Sequence, residues 1–154
     1  MGNRAELQRV MPAMLAHEGT WEGTYRFVDI NGNTIDEYAS RIECIFPDEG
    51  PWVYVQKNHY AWADGRIFET EFGGELRGDR IWWDTDRFSG YGWMTHGDII
   101  VLALDRKDNP GESFSEMIQI GADGIHRART WQWFRDGKPF QRTLCDEQRV
   151  SQGD

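Results

Sequence analysis

The chain has 154 residues, a formal net charge of −9 and 14% aromatic residues, eight of them tryptophan, against roughly two tryptophans in an average soluble chain of this length. That length supports one core and so one domain over 1–154, while the acidic balance repels phosphate backbones and excludes nucleic acid and anionic membrane surfaces as general partners. No run approaches the roughly 18 apolar residues of a membrane helix and no basic-then-apolar leader opens the chain, so the cytoplasm is the expected compartment.

Leu7, Val10, Met11, Met14 and Leu15 recur at helical spacing, with Asn3 as a cap, which predicts an N-terminal helical lid over 3–16. Pro12 lies inside that stretch and removes one backbone hydrogen bond, so the expectation is two short helices with Pro12 opening the second. From Gly19 the chain alternates apolar and polar residues and is broken by turn pairs such as Asn31-Gly32, Asp64-Gly65, Gly73-Gly74 and Asp136-Gly137. This is the pattern of an antiparallel meander. Strands are predicted at 19–29, 34–46, 52–62, 66–72, 74–77, 80–86, 88–94, 98–105, 112–120, 125–134 and 139–149, with a frayed tail over 151–154. Edges are removed most simply by closing such a sheet into a barrel.

Residues on a strand alternate faces, so the more apolar set is assigned inward. Trp21, Tyr25 and Phe27 form the inner set of the first strand, and Tyr38, Ser40, Ile42, Cys44 and Phe46 that of the second. In the third, Trp52, Tyr54, Gln56, Asn58, Tyr60 and Trp62 share a face; in the fourth, Phe68, Thr70 and Phe72 do. Trp82 competes with Trp83, and Tyr91 and Trp93 with Phe88 and Met94, so 80–94 stays open, as does 125–134. Glu116 and Arg142 fall on expected interior faces, where a charge needs a partner. They could pair with each other, swing to solvent, or anchor a ligand. Cys44 and Cys145 sit on strands separated by the first, roughly 9 to 10 Å apart in a closed barrel, and are expected as free thiols. There is no Cys-x-x-Cys, so no structural metal site is expected.

Gly19-Thr20-Trp21 at the start of the first strand, the meander and the late arginines resemble the lipocalin-like (calycin) β-barrels, and an uncharacterised bacterial family of them over 19–150. The resemblance implies an all-β, antiparallel up-and-down barrel of about 8 to 11 strands with a short N-terminal helix. It also implies that the signature Trp21 packs under an arginine of the last strand, Arg142 or Arg149, as a structural pair near the closed end. The strand number is similar to that of fatty-acid-binding proteins and nitrobindins. Nitrobindin-like barrels hold haem through a histidine near the C-terminal strands; here only His126 lies near, and no cofactor is assigned. His17, His59 and His96 fall where solvated histidines are the default.

Two readings of the cavity follow. One is binding of a small hydrophobic or aromatic molecule, with Tyr25, Tyr38, Tyr54, Gln56, Asn58, Trp62 and Phe68 as its contacts. The other is a cofactor-independent lyase, decarboxylase or isomerase on an aromatic or phenolic substrate, a class similar to the phenolic acid decarboxylases. In it Arg142 holds the substrate anion, Glu116 moves a proton and Tyr60 donates to a developing oxyanion. A purely interacting protein, a homodimer through exposed Trp93 or Trp131, is the third possibility.

Overall fold

In the computed structural model, which describes residues 2–153, two short helices precede ten strands. The helices are α1 (Asn3–Val10) and α2 (Pro12–Leu15). The strands are β1 (Gly19–Asp29), β2 (Thr34–Ile45), β3 (Tyr54–Ala61), β4 (Ile67–Arg77), β5 (Arg80–Asp84), β6 (Phe88–Met94), β7 (Ile100–Arg106), β8 (Glu112–Ile120), β9 (His126–Arg135) and β10 (Lys138–Ser151). Each pairs antiparallel with its neighbours in sequence, and β10 returns to β1, closing a lipocalin-like barrel without an edge. No helix among the described residues is long and apolar enough to cross a membrane.

The prediction of one more strand fails at Gly73-Gly74. These glycines do not turn the chain; they lie in the middle of β4. A Cβ on Gly73 would meet the Trp52 ring at 2.4 Å, and one on Gly74 would meet Ile81 Cγ2 at 2.6 Å and Trp83 Nε1 at 3.0 Å. Their lack of a side chain admits two tryptophans rather than a reversal. Asp136-Gly137 does turn the chain: both residues have positive φ (49° and 79°) between the paired Arg135 and Lys138, as a two-residue hairpin loop of the type I′ class requires.

Pro12 opens α2 as expected. The cap of α1 is Gly2 rather than Asn3, whose amide instead reaches the carbonyls of Gly50 and Trp52 at 3.1 Å. Leu7 and Met11 are fully buried, so the helices plug one end of the barrel, and Met14 reaches its cavity. Ser151, assigned to the tail, is the last residue of β10 and pairs with Thr20; Asp154 lies outside the described residues. Cys44 and Cys145 are both free and buried.

Candidate functional site

The plugged end is built on Trp21. Its indole is completely buried and donates to the carbonyl of His17 at 3.0 Å. The guanidinium of Arg149 stands 4.3 Å from its ring centre and that of Arg127 4.4 Å. Arg149 also binds the carbonyls of Ala16, Glu18 and Gly124. It therefore ties the last strand to the helix exit and to the β8–β9 turn. Between the two candidates for Trp21's partner, Arg149 is the one present. Arg142 is registered with Val28 and Gln132 on the opposite face of β10 and is exposed; contrary to expectation it does not enter the interior.

Above this floor lies a cavity of about 320 Å³. Its walls differ in chemistry. On the side of β4 to β7 the lining is Phe72, Trp83, Ile100, Leu102 and Leu104. Across the barrel, β8, β9 and β1 contribute Glu116, Arg129 and Tyr25. Arg129 donates from Nε to Glu116 Oε2 at 2.8 Å and from Nη1 to the Tyr25 hydroxyl at 2.7 Å, with Glu147 Oε2 at 3.5 Å. Glu147 in turn accepts from Arg127 Nε at 2.7 Å, and Arg127 Nη1 lies 3.2 Å from His17 Nδ1. None of the four charged side chains is more than 6% exposed. Two guanidiniums and two carboxylates cancel, which is what allows them to be buried at all.

Burial pushes the Glu116 carboxyl above its ordinary range, only partly offset by Arg129. For Glu147 burial acts in the same direction, but the charges of Arg127 and Arg129 outweigh it and hold the carboxylate low. Burial raises the Tyr25 hydroxyl well above 10 and that of Tyr60 to about 12, so both phenols stay protonated and serve as hydrogen-bond donors. Along β3 a second polar line runs from the Tyr54 hydroxyl to Gln56 (2.8 Å), Asn58 (2.8 Å) and the Thr70 hydroxyl (2.9 Å). At the mouth, Arg106 and Arg87 share Asp108 at 2.9 and 3.6 Å.

Of the residues singled out from sequence, Tyr25, Tyr38, Tyr54, Gln56, Asn58, Tyr60 and Glu116 line the cavity. Trp62 is not among the residues that line the cavity; it packs 4.3 Å from the Tyr38 ring and donates to Asp36 at 2.9 Å. Phe68 is 41% exposed, stacked beside Tyr60 with Arg87 over it. Glu116 and Arg142 do not meet; Glu116's partner is Arg129. His17 is buried instead of solvated, and Trp131, offered as an exposed contact, is a buried cavity residue. His126 is exposed and bound to Asp123 and Gln148, and no histidine lines the cavity among the described residues; the side chains there do not fit a histidine-held haem. Sequence reasoning left Arg127, Arg129 and Trp83 on strands of undecided face and missed Glu147. Their signal is the alternation Arg127, Arg129, Trp131, Trp133 against Glu147 and Arg149 on the paired strand.

No protein-family model matches the chain, and none of the curated proteins does. Among solved structures the fold resembles the S-type phycobiliprotein lyase CPES of Guillardia theta, with a TM-score of 0.70 at 14% identity over 97% of this chain and 93% of that one. Rv2717c of M. tuberculosis matches at a TM-score of 0.62 and 16% identity, covering 91% and 96% of the two chains. A protein of unknown function from the DUF3598 family of Nostoc punctiforme matches at 0.61 and 15% identity over 89% of this chain, which spans about half (49%) of that protein's length. At these identities the likeness is one of fold: a lipocalin-like barrel.

Proposed function

We propose that the protein binds a small, planar aromatic molecule inside its barrel. The observation that carries this reading is the cavity of about 320 Å³, walled by Tyr25, Tyr38, Tyr60, Trp83, Trp131 and Trp133 and dotted with polar groups. Its volume lies at the lower end of the range of small-molecule sites, and its lining has their usual composition: mostly rings, with a few fixed donors and acceptors. Aromatic walls favour a flat guest because offset or edge contacts with rings add to the area buried. A barrel neighbour that is a phycobiliprotein lyase agrees with a role in handling a small molecule, and nothing in the arrangement of Tyr60, Glu116 and Arg142 favours the lyase reading for this chain.

Three tryptophans line the cavity, so entry of an aromatic guest quenches intrinsic fluorescence. The test is native mass spectrometry and fluorescence titration of the full chain with a panel of one- and two-ring aromatic compounds. Leu102→Trp, which fills the cavity from the apolar wall, serves as the blocked control. One-to-one adducts with the wild type that disappear in the filled variant support the reading. Equal behaviour of the two proteins across the panel refutes it.

A further inference from the structure

The polar wall and the aromatic wall together specify more than a flat shape. Trp83 stands on β5, flanked by Gly74 of β4 and Gly92 of β6. A Cβ on Gly92 would meet its Cζ3 and Cη2 at 3.1 Å, and one on Gly74 would meet its Nε1 at 3.0 Å. The indole thus reaches over both neighbouring strands and lines the cavity. Its Nε1–H lies against Gly74 and is buried without a hydrogen-bond partner among the described residues, so what Trp83 offers a guest is its ring.

Facing it, a single guanidinium holds Glu116 and Tyr25. Glu116 uses only Oε2 on Arg129, and Oε1 has no partner among the described residues. The Tyr25 hydroxyl accepts from Arg129 and, at 3.5 Å, from Tyr60, which leaves its own proton to give. The wall therefore offers one free acceptor and one free donor. At this wall the four buried charges already cancel, so an anionic group placed against it would bring an unpaired charge next to two carboxylates, while an uncharged one would not.

We infer that the guest is an uncharged planar compound of one or two rings carrying adjacent hydrogen-bond donor and acceptor atoms, as in a lactam or amide edge. Glu116 and Tyr25 read that edge, and Trp83 stacks on its rings. This specificity rests on the binding reading above and fails separately from it.

Three probes of matched ring size test it by calorimetry on the full chain: 2-quinolone, whose ring carries a lactam; 2-naphthoate, a carboxylate; and naphthalene, without polar atoms. The wild type is expected to bind 2-quinolone about tenfold or more tighter than either of the others, the effect of one well-made polar contact in a buried site. Glu116→Gln leaves the Arg129 charge unbalanced, so the preference for 2-quinolone over 2-naphthoate should collapse or reverse. Trp83→Leu, which removes the ring that stacks, should weaken 2-quinolone several-fold and supplies the answer if Glu116→Gln does not fold. Wild-type protein that binds 2-naphthoate as tightly as 2-quinolone overturns the inference while the binding reading stands. So does a Trp83→Leu variant with unchanged affinity for 2-quinolone. Absence of binding by all three probes overturns both.

Discussion

The two walls of the barrel are buried to a similar degree by opposite means. On β4 to β7 the interior is Phe72, Ile81, Trp83, Ile100, Leu102 and Leu104, each stabilised by leaving water and indifferent to its neighbour's identity so long as the space is filled. On β8, β9, β10 and β1 it includes Glu116, Arg127, Arg129 and Glu147, where every group depends on a named partner. The difference teaches where this fold is robust and where it is brittle. An apolar wall loses stability in proportion to what is removed; a charge cluster loses it all at once when its balance is broken.

The sharpest way to break the comparison is Glu147→Ala, which strands Arg127 and Arg129 in the interior. It should cost about 3 to 5 kcal/mol, read from the urea midpoint. Trp83→Ala on the other wall should cost about 3 kcal/mol. Gly74→Ala should cost about 1 to 3 kcal/mol, because the new methyl collides with Ile81 and Trp83 at 2.6 and 3.0 Å.

Acid separates the two carboxylates of the charged wall. Glu147, held below its ordinary value of 4.5, contributes stability that is present above that value and is lost as pH falls through its lower folded-state pKa. Glu116 has the opposite sign: its folded-state pKa is raised, so its ionisation opposes folding as pH rises through that pKa. Urea midpoints between about pH 5 and pH 3 should therefore fall less steeply for Glu147→Gln than for the wild type. The smallest effect belongs to Arg142→Ala, on the outer face, which should stay within about 0.5 kcal/mol of the wild type by the same measurement.

Legibility follows the same division. Where a strand carries apolar residues on one parity, as in Trp21, Tyr25 and Phe27 or Ile42, Cys44 and Phe46, its inner face is read directly, because burial of area drives the choice. Glu116 was legible for the same reason, carried inward by Phe114 and Ile118. The parity rule leaves β9 undecided and fails on β10: Arg127 and Arg129 are inside while Ala128 and Thr130 are out, and Glu147 is inside while Leu144 is not. Summed hydrophobicity treats each charge as a cost and does not know that a partner on the adjacent strand cancels it. Arg142 was misplaced by that rule. Gly73-Gly74 was misread because a glycine pair marks a close approach as well as a turn, and only Trp52 and Trp83, brought from other segments, distinguish the two.

Local rules therefore sufficed for most of the barrel: periodicity, turn pairs and the Pro12 break act within a few residues, and apart from the false break at Gly73-Gly74 they specify the strands and the helical segment that precedes them. The site needed the closed sheet. Closure puts β10 against β1 and aligns Arg149 with Trp21 and Cys145 with Tyr25, and that register determines which of the late arginines and glutamates face inward. Pairing energies between residues more than a hundred positions apart, such as Arg129 with Tyr25, exist only once the strands are in place, so no reading of a single strand contains them.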